Sequence, residues 1–143
     1  MRLLSVVLVL AGLFGTYRWW EGTTTTSGLS GVASPNGFDS VQMPDGAPRN
    51  AVLVLAPPNC PSDEAQRAEA LVQHLTREGI PVRKGSSISF DVVNPTAEQR
   101  AGIDRAVTVF NAGAPAVFVN GMAMSNPTAA QTVAEYRRTR SGL

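Results

Sequence analysis

The sequence predicts an α/β domain with a mixed four-stranded sheet and three flanking helices. Apolar runs of strand length alternate with segments of helical periodicity, in the order β-α-β-α-β-β-α. A strand–helix–strand unit implies a right-handed crossover and parallel pairing of its strands. The pair Asn120-Gly121 predicts a hairpin, which adds an antiparallel strand. A length of 143 residues suffices for one such domain with appendages.

The first predicted strand and helix flank the only cysteine of the chain, Cys60. Val52–Leu55 is a continuous apolar run, typical of a central strand that is covered on both faces. Pro61–Glu78 is predicted to be helical, and Gly79 is a suitable C-terminal stop. The apolar residues of this helix recur at helical spacing: Ala65, Ala68, Leu71, Val72 and Leu75.

Two segments compete for the second strand. Ile80–Arg83 is short and is either a strand or the approach to one. Ile88–Val93 alternates between apolar and polar residues, so the sequence favours it as the strand. A second helix is predicted over Thr96–Phe110, with Ile103, Val107 and Phe110 marking its apolar side.

The predicted hairpin and the last helix complete the domain. Pro115–Val119 is predicted as one hairpin strand, and Met122–Met124 as its returning partner. Asn126 is the predicted cap of the last helix, with Pro127 at its first position. The helix itself is predicted over Thr128–Arg138.

Residues 1–20 are predicted to be a signal anchor. Arg2 precedes an apolar run over Leu3–Gly15, and the aromatic residues that follow are typical of a membrane interface. No convincing small-residue cleavage motif follows the run, so an uncleaved anchor is favoured over a cleaved signal peptide. A buried helix of the domain is the third alternative. Eleven arginines against one lysine suggest a GC-rich genome. We therefore expect a bacterial protein, either in the inner membrane with its domain facing the periplasm or secreted to the periplasm.

Residues 21–48 are predicted to be a flexible tether, and residues 49–140 the compact domain. The segment Gly22–Gly28 is polar and of low complexity, and two segments with turn residues, Ser34–Gly37 and Met43–Pro48, follow it. Phe38 and Val41 are the tether residues that are candidates for docking on the domain. The net charge of +1 gives no electrostatic basis for binding nucleic acid.

The single thiol is the candidate reactive group. One cysteine excludes an internal disulfide. Cys60 is predicted at the N-cap of the first helix and Pro61 at its first position, where free amides and the helix dipole favour the thiolate. The carboxylates of Asp63 and Glu64 oppose this effect because like charge disfavours a thiolate. We therefore expect a moderately activated thiol.

Two motifs resemble the glutaredoxins of the thioredoxin-fold superfamily. They are Cys60-Pro61-Ser62-Asp63 after the first strand and Pro115-Ala116-Val117-Phe118-Val119-Asn120-Gly121 near the hairpin. The resemblance covers about residues 50–138. It implies a thioredoxin-like fold and a cis-proline at Pro115.

The resemblance also implies roles for individual residues. Pro115 and the backbone of Ala114 would form the shelf that holds a mixed disulfide. Asp63 stands where a dithiol enzyme has its second cysteine, which leaves a monothiol route through Cys60. Thr128 stands where the family has an aspartate that anchors the amino group of glutathione, so a preference for glutathione is weakened.

Two functions follow as hypotheses. The first is an exported or membrane-tethered monothiol oxidoreductase without a bound cofactor, for which glutathione is a candidate co-substrate. Its partners would be a small thiol or a thiol-containing protein, and the membrane through residues 1–20. The second is an inactive thioredoxin-fold binding module of the cell envelope. His74 is interpreted as a solvated helix residue and Met122 and Met124 as packing residues, so no metal site is predicted. An iron–sulfur cluster shared by two chains is a minor alternative.

Overall fold

The computed structural model describes residues 31–58 and 62–140. The predicted signal anchor over residues 1–20 and the first part of the predicted tether lie outside these residues. Within the described ranges, no helix has both the length and the apolar character needed to span a bilayer.

Five strands and three helices follow one another along the chain. The strands are β1 (Asp39–Ser40), β2 (Val52–Leu55), β3 (Val82–Gly85), β4 (Ala116–Val119) and β5 (Met122–Ser125). The helices are α1 (Asp63–Arg77), α2 (Ala97–Ala112) and α3 (Ala129–Arg140). The sheet order is β1-β5-β4-β2-β3, in which β2 and β3 are parallel and the other neighbours antiparallel. The predicted α/β class, mixed sheet and three helices are confirmed, whereas the sheet has five strands rather than four.

The additional strand, β1, lies within residues 21–48, and the compact unit that holds the sheet begins at Gly31. Asp39 and Ser40 pair with Ala123 and Met122 of β5. Phe38, directly before β1, is completely buried in the core. Burial of one large aromatic side chain stabilises this short strand, which the polar composition around it did not indicate.

The second strand of the crossover is Val82–Gly85, and the preference for Ile88–Val93 was wrong. Gly79 ends α1 with a positive φ of 74°, which turns the chain at once toward the sheet. The amide of Val52 donates to the carbonyl of Pro81 at 2.9 Å, at the start of the parallel pairing. Ile88 and Phe90 pack against the core outside any strand, and this packing accounts for the alternating pattern.

The core has two layers, one on each face of the sheet. Val52 and Val54 of β2 point into the layer formed with α1 and α3, and Leu53 and Leu55 into the layer formed with α2. All four side chains are buried, which confirms the prediction of a strand covered on both faces. The buried residues of α2 are Gly102, Ala106 and Val109. Of the apolar residues expected from the sequence, Phe110 is half-buried and packs against the core, Ile103 is half-buried, and Val107 is exposed.

A buried carboxylate fastens the chain before β1 to α3. Glu135 is completely buried and forms an ion pair with Arg138. It also accepts a hydrogen bond from the side-chain amide nitrogen of Asn36 at 2.8 Å. Burial would raise the pKa of Glu135, but hydrogen bonds from Arg138, Asn36 and Ser34 outweigh it and hold the pKa below its ordinary value of 4.5. The ionised form of Glu135 therefore stabilises the attachment of this segment.

Gly102→Ala should destabilise the domain although alanine is the better helix former. A Cβ at residue 102 would lie 2.8 Å from the backbone nitrogen of Gln42. We expect the free energy of unfolding to fall by about 1–3 kcal/mol in a denaturant titration, as for an overpacked core. The exposed Asp104→Ala on the same helix is the control and should cause no loss. A Gly102→Ala protein as stable as wild type would contradict this packing.

Glu135→Gln should lower the free energy of unfolding by about 1–3 kcal/mol at neutral pH, because charge-assisted hydrogen bonds are lost. The folded-state pKa lies below 4.5, so this stabilisation is present above that value and is lost as the pH falls through the folded-state pKa. The stability difference between wild type and variant should therefore shrink below about pH 4.5. Asp91→Asn, at an exposed loop position, is the control. A difference that stays constant with pH would contradict the role of the ionised carboxylate.

Candidate functional site

The candidate site lies at the end of the two interior strands where β2 ends and β4 begins. Leu55, the last residue of β2, is paired with Ala116, the first residue of β4. The chain leaves β2 into the loop that leads to α1, and Pro115 directly precedes β4. Pro115 is buried, and its peptide bond to Ala114 is cis, as the resemblance implies. The pairing therefore brings the start of the cysteine-containing loop and Pro115 to the same end of these two strands.

Helix α1 begins later than predicted, because Ser62 rather than Cys60 is its N-cap. Ser62 has extended backbone angles, and its Oγ accepts a hydrogen bond from the amide of Ala65 at 3.2 Å. A hydroxyl oxygen is a good acceptor and serine a preferred N-cap, whereas thiol sulfur accepts weakly. Cys60 and Pro61 lie outside the described residues, so the assignment of Cys60 as the reactive group stays a prediction.

The backbone around Pro115 is held by three hydrogen bonds. The Arg67 guanidinium on α1 donates to the carbonyl of Ala114 at 3.2 Å. The Ser125 hydroxyl donates to the carbonyl of Gly113 at 3.0 Å. The amide of Asn126 donates to the carbonyl of Pro115 at 2.7 Å. The predicted shelf of Ala114 and Pro115 is thus tied to both α1 and the segment after β5.

Sequence reasoning did not identify Arg67. It is an exposed arginine on a largely polar helix face, and nothing in its neighbourhood along the chain distinguishes it from Arg77. Its contact joins residues 47 positions apart in sequence, so only the tertiary structure reveals it.

Thr128 caps α3, and the prediction that Asn126 is the cap and Pro127 the first helical residue was wrong. The Thr128 hydroxyl accepts from the amide of Gln131 at 3.1 Å, and the Gln131 side chain accepts from the amide of Thr128 at 2.9 Å. This reciprocal arrangement is a capping box. Asn126 instead has a positive φ of 48° and turns the chain after β5. The Thr128 side chain is therefore engaged by its own helix.

A groove of about 470 Å³ runs between α1 and the start of α3 and includes Pro115 and Thr128. Buried residues form its apolar floor, namely Leu71, Pro115 and Pro127. Arg67 and His74 are the titratable residues that line it. His74 is exposed, in agreement with its interpretation as a solvated residue, and it faces this groove.

A smaller cavity of about 280 Å³ lies on the other side of α1. Pro57 and Pro58 of the loop line it together with small residues of α1. Lys84 and Glu69 also line it, and they form an ion pair in which Lys84 Nζ lies 2.5 Å from Glu69 Oε2. The hydrogen bond and the charge of Lys84 lower the pKa of Glu69. In the part of the chain that the structure describes, no group of three or more His, Cys, Asp or Glu residues is placed to hold a metal ion.

Comparison of the chain with protein-family models, with curated proteins and with solved structures finds no match.

Ser62→Ala should lower the free energy of unfolding by about 1 kcal/mol, because the amide of Ala65 loses its acceptor. Ser62→Asp is the matched control, since aspartate is an equally good N-cap and should retain the stability. Thermal or denaturant unfolding of the three proteins measures the difference. A neutral Ser62→Ala together with a stabilising Cys60→Ser would contradict Ser62 as the N-cap and favour Cys60.

Proposed function

We propose that this chain is a monothiol, glutaredoxin-like thiol–disulfide oxidoreductase that acts through Cys60 on mixed disulfides. One observation carries the proposal. The pairing of Leu55 with Ala116 brings the loop that leads to Cys60 and the residue Pro115 to the same end of the sheet. In the family that the sequence resembles, the reactive thiol and this proline act together.

The topology supports a thioredoxin-like fold for residues 49–140. Without β1 the strand order is β3-β2-β4-β5, with one parallel pair and an antiparallel hairpin. Helices cover both faces, with α1 and α3 on one and α2 on the other. This is the arrangement expected of a crossover unit followed by a hairpin and a final helix. In this proposal β1 is an addition at the far edge.

Cys60 follows the last residue of β2 by five positions in the sequence. Cys60 stands two residues after Pro58 and two before Ser62, both of which the structure describes. Two residues of chain reach at most about 7 Å. This limit supports a position for the thiol near the loop after β2 and the start of α1, although Ser62 and not Cys60 caps the helix.

The proposed reaction is a monothiol exchange in two steps. The Cys60 thiolate attacks the sulfur of the small thiol in a mixed disulfide; the partner's sulfur leaves as a thiolate and takes up a proton. A second molecule of the small thiol, as its thiolate, then attacks the sulfur bound to Cys60. This step releases the symmetrical disulfide of the small thiol and regenerates the Cys60 thiolate. Overall, the sulfur of the incoming small thiol is oxidised and the partner's sulfur is reduced to a thiol, while the small-thiol sulfur of the mixed disulfide stays at the disulfide oxidation level.

The surrounding residues have defined roles in this scheme. Ala114 and Pro115 provide the backbone and ring against which the mixed disulfide lies. Asp63, exposed at the first position of α1, has no sulfur and cannot resolve the intermediate internally. Thr128, as the cap of α3, offers no carboxylate for the amino group of glutathione. We place the domain in the bacterial periplasm, tethered to the inner membrane through residues 1–20 or secreted.

An inactive binding module of the cell envelope is the second candidate, and the position of the helix cap favours it. Because Ser62 occupies the cap, Cys60 is displaced by two residues from the position at which the helix dipole acts most strongly. The first turn of α1 also carries the carboxylates of Asp63 and Glu64. Both features reduce the tendency of the thiol to ionise.

Reaction of the full chain with oxidised glutathione decides between these candidates. We expect intact mass to show one glutathione adduct, absent from Cys60→Ser, and a Cys60 thiol pKa below the ordinary value of about 8.5. Turnover of a glutathionylated peptide with excess glutathione should fall at least about 100-fold in Cys60→Ser. An ordinary thiol pKa without an adduct would reject the enzyme and favour the binding module. Turnover that survives Cys60→Ser would reject Cys60 as the nucleophile.

A further inference from the structure

The end of the domain opposite the candidate site is rich in arginine. Helix α1 runs away from the candidate site, where Arg67 contacts the carbonyl of Ala114, and it ends at Arg77. Its 15 residues span about 22 Å at 1.5 Å per residue. The last turn of α3 and the residues before β2 also carry arginines. We call this surface the basic end and define it by four exposed arginines, namely Arg49, Arg77, Arg137 and Arg140.

Hydrogen bonds between these elements bring their arginines together. The Arg137 guanidinium donates to Glu78 Oε2 at 3.0 Å, which joins α3 to the end of α1. The side-chain amide of Asn120 in the hairpin turn donates to Thr139 Oγ1 at 3.1 Å. The backbone amide of Asn50 donates to Asn120 Oδ1 at 3.0 Å. The ends of α1 and α3, the hairpin turn and the start of β2 therefore form one continuous surface.

The basic end has an excess of positive charge. Glu78 and Glu135, the carboxylates nearest to the ends of α1 and α3 in the sequence, are each paired with an arginine. Arg49, Arg77 and Arg140 take part in none of the ion pairs found among residues 31–58 and 62–140. The whole chain has a net charge of +1, so this excess is local. The basic end is therefore electrostatically complementary to an anionic partner.

The basic end offers a spread of charge rather than a pocket for one anion. Helices α1 and α3 present their C-terminal ends here, whereas a helix binds a single phosphate through the free amides of its N-terminus. The cavities of about 470, 280 and 260 Å³ are lined by other residues. Exposed guanidinium groups can each bind a separate phosphate through two donors. This arrangement suits an extended layer of phosphates.

The chain before the domain favours a membrane as the source of that layer. Residues 1–20 are proposed to be a membrane anchor, and residues 21–30 separate them from Gly31. These ten residues reach at most about 35 Å, so an inserted anchor limits the distance between the domain and the lipid headgroups. The resulting effective concentration allows a few arginines to maintain the contact. A nucleic acid would be bound from solution, for which a net charge of +1 provides little long-range attraction.

We propose that the basic end binds the headgroups of an anionic phospholipid membrane and so directs the candidate site away from the lipid. This inference rests on the proposed location of the domain beside a membrane and not on any reaction at Cys60. Each arginine at such a surface strengthens binding about fivefold. The site at the other end of α1 then faces proteins in solution.

Quenching of a fluorescent label by nitroxide groups on the lipid headgroups measures this orientation. The full chain carries Cys60→Ser and one bimane-labelled new cysteine, either Thr76→Cys beside the basic end or Gln66→Cys toward the candidate site. Both positions are exposed on α1 and lie about 15 Å apart along its axis. In vesicles with about 30% phosphatidylglycerol, we expect the quenching at residue 76 to be at least about twice that at residue 66. The difference should disappear in phosphatidylcholine vesicles and at about 0.5 M salt.

Arg77→Gln together with Arg140→Gln should reduce the quenching at residue 76 to its level in phosphatidylcholine vesicles, and Arg77→Gln alone should cause part of this loss. Arg67→Gln is the matched control, because it removes the same charge from an exposed arginine near the other end of α1. It should leave the quenching unchanged. Equal quenching at the two labelled positions, or equal loss in Arg67→Gln and Arg77→Gln, would overturn the proposal.

Two further measurements separate the alternatives. A fluorescein-labelled oligonucleotide that binds through Arg77 and Arg140, without the lipid-dependent quenching, would overturn the proposal in favour of a nucleic acid. If the lipid contact through Arg77 is found while wild-type Cys60 forms no adduct with oxidised glutathione, the membrane contact stands and the proposed oxidoreductase function fails. An adduct without the lipid contact would give the reverse result.

Discussion

The fold depends on one strand, β2, being enclosed on both faces and on both sides. Its four side chains alternate between the two core layers, and its backbone pairs with β3 on one side and β4 on the other. Because such a strand has no solvent-exposed face or edge, its register with both neighbours is strongly specified. The same register determines which residues meet where β2 ends, and it therefore sets the geometry of the candidate site.

Much of this framework could be predicted from the sequence. The apolar run of β2 is unbroken, as a doubly covered strand requires. Asn120 and Gly121 have φ values of 46° and 85°, the left-handed conformations that an Asn-Gly hairpin turn needs. Gly79 likewise ends α1 in the left-handed region. These signals are local, since each depends on the conformational preferences of one or two residues.

The features that sequence reasoning missed depend on contacts between distant residues. β1 exists because Phe38 reaches the core and its strand finds an open edge at β5, neither of which its polar neighbourhood indicates. In Ile88–Val93, alternate residues pack against the core although the segment is not paired with any strand. Periodicity alone does not distinguish such a segment from a strand that is part of the sheet. The predicted starts of α1 and α3 are two residues too early. In each helix a hydroxyl residue, Ser62 or Thr128, is the N-cap instead of the predicted residue two positions before it. The candidate site shows the same division: Ala114 and Pro115 belong to a sequence motif, whereas Arg67 joins them only through tertiary structure.

The two outermost strands of the sheet, β1 and β3, have features that disfavour pairing with strands of other chains. An open strand edge offers unpaired amides and carbonyls to other chains, and proteins limit this with short or charged outer strands. At one margin β1 is only two residues long. At the other margin β3 carries Arg83, which donates to the carbonyl of Gly46 at 3.0 Å, and Lys84, which is paired with Glu69. Among the residues that the structure describes, neither outer strand is therefore a good template for strand addition by another chain.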